Sequence, residues 1–129
     1  MKVAFATEDG SLVNSHFGQC NTFIIYEVTL DGYRLDGVRE IMGKKEEEGD
    51  EYGRLDRRID AIEDCTLLFI TQIGPSAAAR VTRKKIMPIK VEEGTPILQQ
   101  LDRLLVMLHT KPPLWLAKAL KHQKGEEES

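Results

Sequence analysis

The feature that most constrains this chain is the dipeptide Asp31-Gly32, set between two long β-prone runs. Asp-Gly tolerates the positive φ of a tight hairpin turn, so the flanking strands must be antiparallel neighbours. The run before it, Thr22 to Leu30, carries Phe23, Ile24, Ile25, Tyr26 and Val28. The run after it, Tyr33 to about Met42, has Val38 and Ile41 as its stronger apolar positions. Ahead of both lies Lys2 to Thr7, where Val3, Ala4, Phe5 and Ala6 are apolar on either face, the pattern of a central strand. Three strands with short connections predict an antiparallel meander.

The second half has a different rhythm. Leu55, Ile59 and Ile62 form one stripe of a predicted helix over Tyr52 to Glu63. A wholly apolar strand follows at Leu67 to Thr71, then a helix from Pro75 to about Lys84 with Pro in its permitted first turn. Ile86 to Val91 is the next strand. Thr95-Pro96 opens a third helix, with Thr95 as expected N-cap and Ile97, Leu98, Leu101, Leu104, Leu105 and Leu108 as its buried side. Lys111-Pro112-Pro113 stops it, and Leu114, Trp115 and Leu116 are expected to pack back. The charged run Lys44 to Glu51 is expected to be a solvated loop. Residues 1–117 are expected to form one domain, with 118–129 a flexible polar tail.

The order β-β-β-α-β-α-β-α predicts an α/β fold: a five-stranded mixed sheet flanked by helices, with the strand order of ribonuclease H-like proteins. The first strand then lies beside the fourth. Their carboxyl ends meet at a switch point, where open α/β sheets bind ligands. The loop containing His16 leaves one of these ends and Gln72-Ile73-Gly74 leaves the other.

Composition narrows the function. Of 129 residues, 18 are Lys or Arg against 21 Asp or Glu, a formal charge of −3, which disfavours sequence-independent nucleic-acid binding. The N-terminus is acidic too soon for a signal peptide, and no apolar run approaches the roughly 20 residues that span a bilayer. The expectation is a cytoplasmic protein with free thiols and no membrane partner. A metal-dependent nuclease needs carboxylates on the central strands, and neither Lys2 to Thr7 nor Leu67 to Thr71 has one. There is no Walker loop or GxGxxG. With two cysteines the chain cannot build a four-cysteine iron–sulfur cage. The remaining nitrogen and sulfur donors are His16, His109, His122, Cys20 and Cys65. Of these, His16 and Cys20 at the switch point are the candidate metal ligands, suited to loose retention of a preassembled cluster. The second helix begins at Gly74, whose neighbouring backbone N–H groups suit an anion. Farther along that helix, Arg80, Arg83, Lys84 and Lys85 form a basic face.

Several blocks resemble one family. Val3-Ala4-Phe5-Ala6-Thr7, then Val13 and His16-Phe17-Gly18, then Phe23-Ile24-Ile25-Tyr26-Glu27-Val28 are similar to the start of nitrogenase iron–molybdenum cofactor biosynthesis proteins, the NifX/NafY/VnfX group. Asp64-Cys65, Leu68-Phe69, Ile73-Gly74-Pro75 and Ala77-Ala78 resemble the second block. Ile86-Met87-Pro88-Ile89-Lys90-Val91 and Pro112-Pro113-Leu114-Trp115-Leu116 resemble stretches found in the NifX members. The resemblance implies a ribonuclease H-like fold without nuclease activity. It implies a carrier, not an enzyme, that transiently holds an iron–sulfur cofactor precursor (the NifB cofactor type) or the iron–molybdenum cofactor itself. The implied partners are NifB, a NifEN-type scaffold and apo-dinitrogenase. His16 takes the place of the family's cluster-binding histidine. Phe17, Gly18, Ile73 and Gly74 complete the expected binding set. Three alternatives remain: an interaction protein of the assembly machinery that binds no cluster itself, a vanadium-system counterpart of the carrier, and a hydrolase or redox enzyme using Cys20 and His16.

Overall fold

The computed structural model describes residues 1–41 and 51–121. In chain order its elements are β1 (Lys2–Ala6), β2 (Leu12–Val13), a single 3-10 turn (Phe17–Gln19), β3 (Thr22–Thr29), β4 (Gly32–Glu40), α1 (Glu51–Ala61), β5 (Leu67–Ile70), α2 (Pro75–Arg83), β6 (Met87–Lys90), β7 (Thr95–Pro96), α3 (Ile97–His109) and α4 (Leu114–Leu120). Five strands form the main sheet in the order β4-β3-β1-β5-β6, while β2 and β7 pair separately.

The hairpin closes where Asp31-Gly32 places it, with Gly32 at φ 145°. Its register slips by one residue between Ile25 and Tyr26, whose partners are Gly37 and Leu35, so Asp36 is the extra residue of a bulge. The bulge turns Asp36 toward its neighbours: its carboxylate lies 3.2 Å from Lys2 Nζ and 3.6 Å from the Arg39 guanidinium. β1 pairs antiparallel with β3 and parallel with β5, which makes it the centre of the sheet, as its two-sided apolar pattern requires.

Period-two alternation divides the core between the two faces. Ala4, Ala6, Phe23, Ile25, Leu68 and Ile70 pack with Ile59, Ile62, Ala77 and Val81 of the α1/α2 side. Val3, Phe5, Ile24, Val28, Leu67 and Phe69 meet Ile97, Leu101, Leu104, Leu116 and Ala119 of the α3/α4 side. Phe5 stacks on Phe69 with centroids 4.9 Å apart. Each such fully buried side chain is worth about 1.5–3 kcal/mol of transfer free energy.

Four expectations need correction. The element order is longer than β-β-β-α-β-α-β-α, because β2, β7 and α4 are added to it. Thr95 does not cap α3: Pro96 holds that position without a side-chain bond, while the Thr95 hydroxyl donates to Glu92 O at 2.6 Å. Thr95 instead pairs with Val13, so a dipeptide that reads as a helix start is used first as a strand. Val38 is 55% exposed on the edge strand, whereas Ile41 packs on the core. The boundary expected at 118 falls inside α4, where Ala119 is buried. The charged run from Lys44 to Asp50 and the tail from 122 onward lie outside the described residues; Glu51 begins α1.

β6 is the other edge of the sheet and contains Pro88. Met87 and Val91 donate their N–H groups inward, to Thr66 O and Ile70 O. Alternation therefore turns residues 88 and 90 outward, and Pro88 leaves that edge without one of its donors.

Candidate functional site

The site forms because β1 and β5 run parallel and end together. Beyond β1 the chain loops out and returns as an extended segment along the continuation of β5. Thr71 N–H donates to Ser15 O at 3.1 Å and Phe17 N–H donates to Gln72 O at 2.9 Å. His16 is thus bridged in parallel to Gln72. The 3-10 turn that follows closes with Gln19 N–H on His16 O at 3.1 Å. Both backbone neighbours of His16 are stitched to another strand while its imidazole stays exposed.

The loop's footing is equally fixed. Phe17 is fully buried, with its ring 5.9 Å from that of Phe23. Asp9 accepts hydrogen bonds from the backbone N–H groups of Ser11 and Leu12, which hold its carboxyl below its ordinary range and order the first part of the loop. Arg58 on α1 is fully buried and donates from Nε to Cys20 O at 2.8 Å. It therefore clamps the chain just after the turn. A buried arginine in an otherwise ordinary amphipathic stripe carries no signal in one sequence, and it is the positioning residue that sequence reasoning misses.

His16, Thr71, Gln72, Lys90, Val91, Glu92 and Glu93 line a cleft of about 440 Å³. Its far wall is held by the β2–β7 ribbon, with Gly94 N–H on Val13 O at 2.9 Å and Gly94 at φ 89°. The imidazole offers a lone pair to a borderline or soft metal. Lys90 attracts an anion, whereas Glu92 and Glu93 repel one.

Several predicted site residues fall elsewhere. Cys20 is withdrawn from the metal-ligand set: it is fully buried and its thiol donates to Thr22 O at 2.8 Å. Burial pushes that thiol up to about 11, which also removes it as a nucleophile at neutral pH. Ile73 packs against the α1/α2 core, and Gly74 is the N-cap of α2; neither lines the cleft. Gly18 lies in the 3-10 turn behind His16. Cys65 is buried, with its Sγ 3.8 Å from Asp64 Oδ1, and His109 places Nε2 2.6 Å from Leu30 O. His122 lies outside the described residues. On α2, Arg80 pairs with Asp56 and Lys84 with Glu63, so part of the basic face is already neutralised. Among the described residues, no three of His, Cys, Asp and Glu gather as a metal site. Nor is any helix among them long and apolar enough to cross a membrane.

A second groove, of about 460 Å³, lies beyond Lys90 and Val91, lined by Phe69, Met87, Ile89, Met107 and Trp115 among others. It offers no imidazole, thiol or carboxylate.

Fold and cleft together define an open α/β domain with a crevice at the carboxyl ends of the central strands, where such folds tend to bind ligands, and one exposed imidazole beside it. The sequence profile of the dinitrogenase iron-molybdenum cofactor family matches residues 1–106, and the chain belongs to that family. Protein NifX of Herbaspirillum seropedicae is 41% identical over 127 residues, covering 98% of this chain and 85% of that protein. Protein NifX of Azotobacter vinelandii is 37% identical, covering 98% of this chain and 79% of the other. The crystal structure of PH0822 has the same fold, with a TM-score of 0.63 at 20% identity over 82% of this chain and 91% of that one.

Proposed function

We propose that this protein acts in nitrogenase cofactor biosynthesis by binding an iron–sulfur precursor of the iron–molybdenum cofactor, or the cofactor itself, and passing it on. The observation that carries the reading is His16: an exposed imidazole, fixed by backbone bonds on both sides, at the mouth of a cleft in a member of the iron-molybdenum cofactor family. Both cysteines are buried, so the protein adds few ligands to a cluster that already exists. The role is a carrier's and not an enzyme's. It takes cargo from a NifB-type protein and delivers it to a NifEN-type scaffold or apo-dinitrogenase, in the cytoplasm. The ribonuclease H-like assignment belongs to the same proposal. It is supported by the order β4-β3-β1-β5-β6 and by central strands β1 and β5 that carry no acid.

The test is anaerobic titration of the full chain with the isolated precursor cluster, followed by gel filtration and iron analysis. Retention of iron with the protein, lost in His16→Ala at unchanged thermal stability, is the expected result. Equal retention by His16→Ala removes His16 from the site. Docking on partner proteins with no iron retained at all would make the chain an interaction protein instead.

A further inference from the structure

One residue in the cleft wall carries a buried polar atom with nothing to bond. Thr71 is 5% exposed, and its hydroxyl oxygen has no hydrogen-bond partner. Leaving a buried hydroxyl unsatisfied is costly, and a valine would fill the same volume without the penalty. The residue lies one step from the His16–Gln72 bridge, because its own N–H is the one bonded to Ser15 O. It is also among the residues lining the cleft. Thr66, at the other end of β5, has an unpartnered hydroxyl as well, but lies away from His16 and is not part of the cleft lining.

We infer that Thr71 is a specificity-determining contact for the guest: its hydroxyl donates a hydrogen bond to an anionic sulfur or oxygen atom of the cluster bound at His16. This rests on the proposed carrier function and adds a second, oriented contact to it. A single imidazole leaves a ligand free to rotate about the metal–nitrogen bond, whereas a hydroxyl donor beside it selects one orientation. A rotation of about 120° about χ1 carries the hydroxyl to the place of the methyl, and the methyl to that of the hydrogen, without moving the backbone. The donor can therefore turn to the guest when the cleft fills.

The experiment uses the full chain and four variants: Thr71→Val, Thr71→Ser, Thr66→Val and His16→Ala. Each is titrated anaerobically with the isolated iron–sulfur precursor cluster and followed by visible absorption, and the melting temperature of each cluster-free protein is recorded. Thr71→Val is expected to bind roughly tenfold more weakly, the usual worth of one hydrogen bond to a charged acceptor. Its melting temperature should stay level or rise. Thr71→Ser should restore affinity, and Thr66→Val should leave it unchanged. Thr71→Val binding like the parent while His16→Ala loses the cluster overturns the Thr71 contact and leaves the carrier reading standing. Equal weakening by Thr66→Val also overturns it, because the effect would then belong to the strand as a whole. If the parent protein itself retains no cluster, the carrier reading fails and this contact fails with it.

Discussion

Phe17 lies next to His16 in sequence, and sequence reasoning groups the two as binding residues; the structure separates their roles in a way that a substitution can measure. Phe17 is fully buried in the α1/α2 core and pairs with the Phe23 ring at 5.9 Å. Phe17→Leu keeps most of the apolar volume and forfeits the aromatic pairing, worth about 0.5–1.5 kcal/mol. With a small residual void the total loss is about 1–2 kcal/mol, or roughly 4–8 °C in Tm for a chain of this size. Phe17→Ala removes the whole ring and costs about 3–5 kcal/mol, a large share of the roughly 5–15 kcal/mol a domain has. At about 15 °C, Phe17→Leu is expected to bind the cluster within about twofold of the parent, since a factor of two is only ~0.4 kcal/mol. The loop's backbone bonds to Thr71 and Gln72 do not depend on the ring. The assays are calorimetric melting and anaerobic titration side by side. Loss of cluster binding in Phe17→Leu with an unchanged Tm would refute the reasoning, because the ring would then be touching cargo rather than anchoring the loop.

Three further outcomes follow from charge and burial. With its thiol near 11, Cys20 is only about one part in a thousand thiolate at pH 8. Iodoacetamide should therefore leave it unmodified in the native protein and label it on unfolding; rapid native labelling would contradict the burial. The same shift makes a stability prediction. The folded thiol keeps its proton above the unfolded value near 9, so its contribution is complete below that pH. That contribution is lost as pH rises toward 11, at about 1.4 kcal/mol per unit. Comparing urea melts of parent and Cys20→Ala across this range isolates the slope. At the cleft rim, the double variant Glu92→Gln/Glu93→Gln should hold an anionic cluster several-fold more tightly at low salt, with the gain shrinking as salt rises. A salt-independent affinity equal to the parent's would show that these carboxylates do not face the guest.

The meander, the parallel β1–β5 pair and the place of the cleft are all legible in the sequence. The reason is that Asp31-Gly32 and the two-sided apolar runs are local signals with one physical solution. The β2–β7 ribbon is not legible: Leu12-Val13 and Thr95-Pro96 are two residues each, too short for any period to register. Of the site, His16 could be nominated because its loop leaves a switch point. Cys20 was misplaced for the complementary reason. Four residues along a loop fix no direction, and the turn at Phe17–Gln19 carries the thiol into the core. Thr71 and Lys90 join His16 only through strand pairing across the sheet, and Arg58 reaches Cys20 O over 38 positions. Such relations are visible once the register is known and not before.

The parallel pairing of β1 with β5 has a consequence for when this protein can work. Its cleft draws one wall from the first twenty residues and the rest from positions 71 to 93. A ribosome that has translated only the hairpin has made no pocket, and a nascent chain halted before β6 has Thr71 and Gln72 beside His16 but lacks the wall that Lys90, Val91, Glu92 and Glu93 supply. The cleft is therefore complete only late in synthesis, once positions 90 to 93 have joined the wall that Thr71 and Gln72 begin.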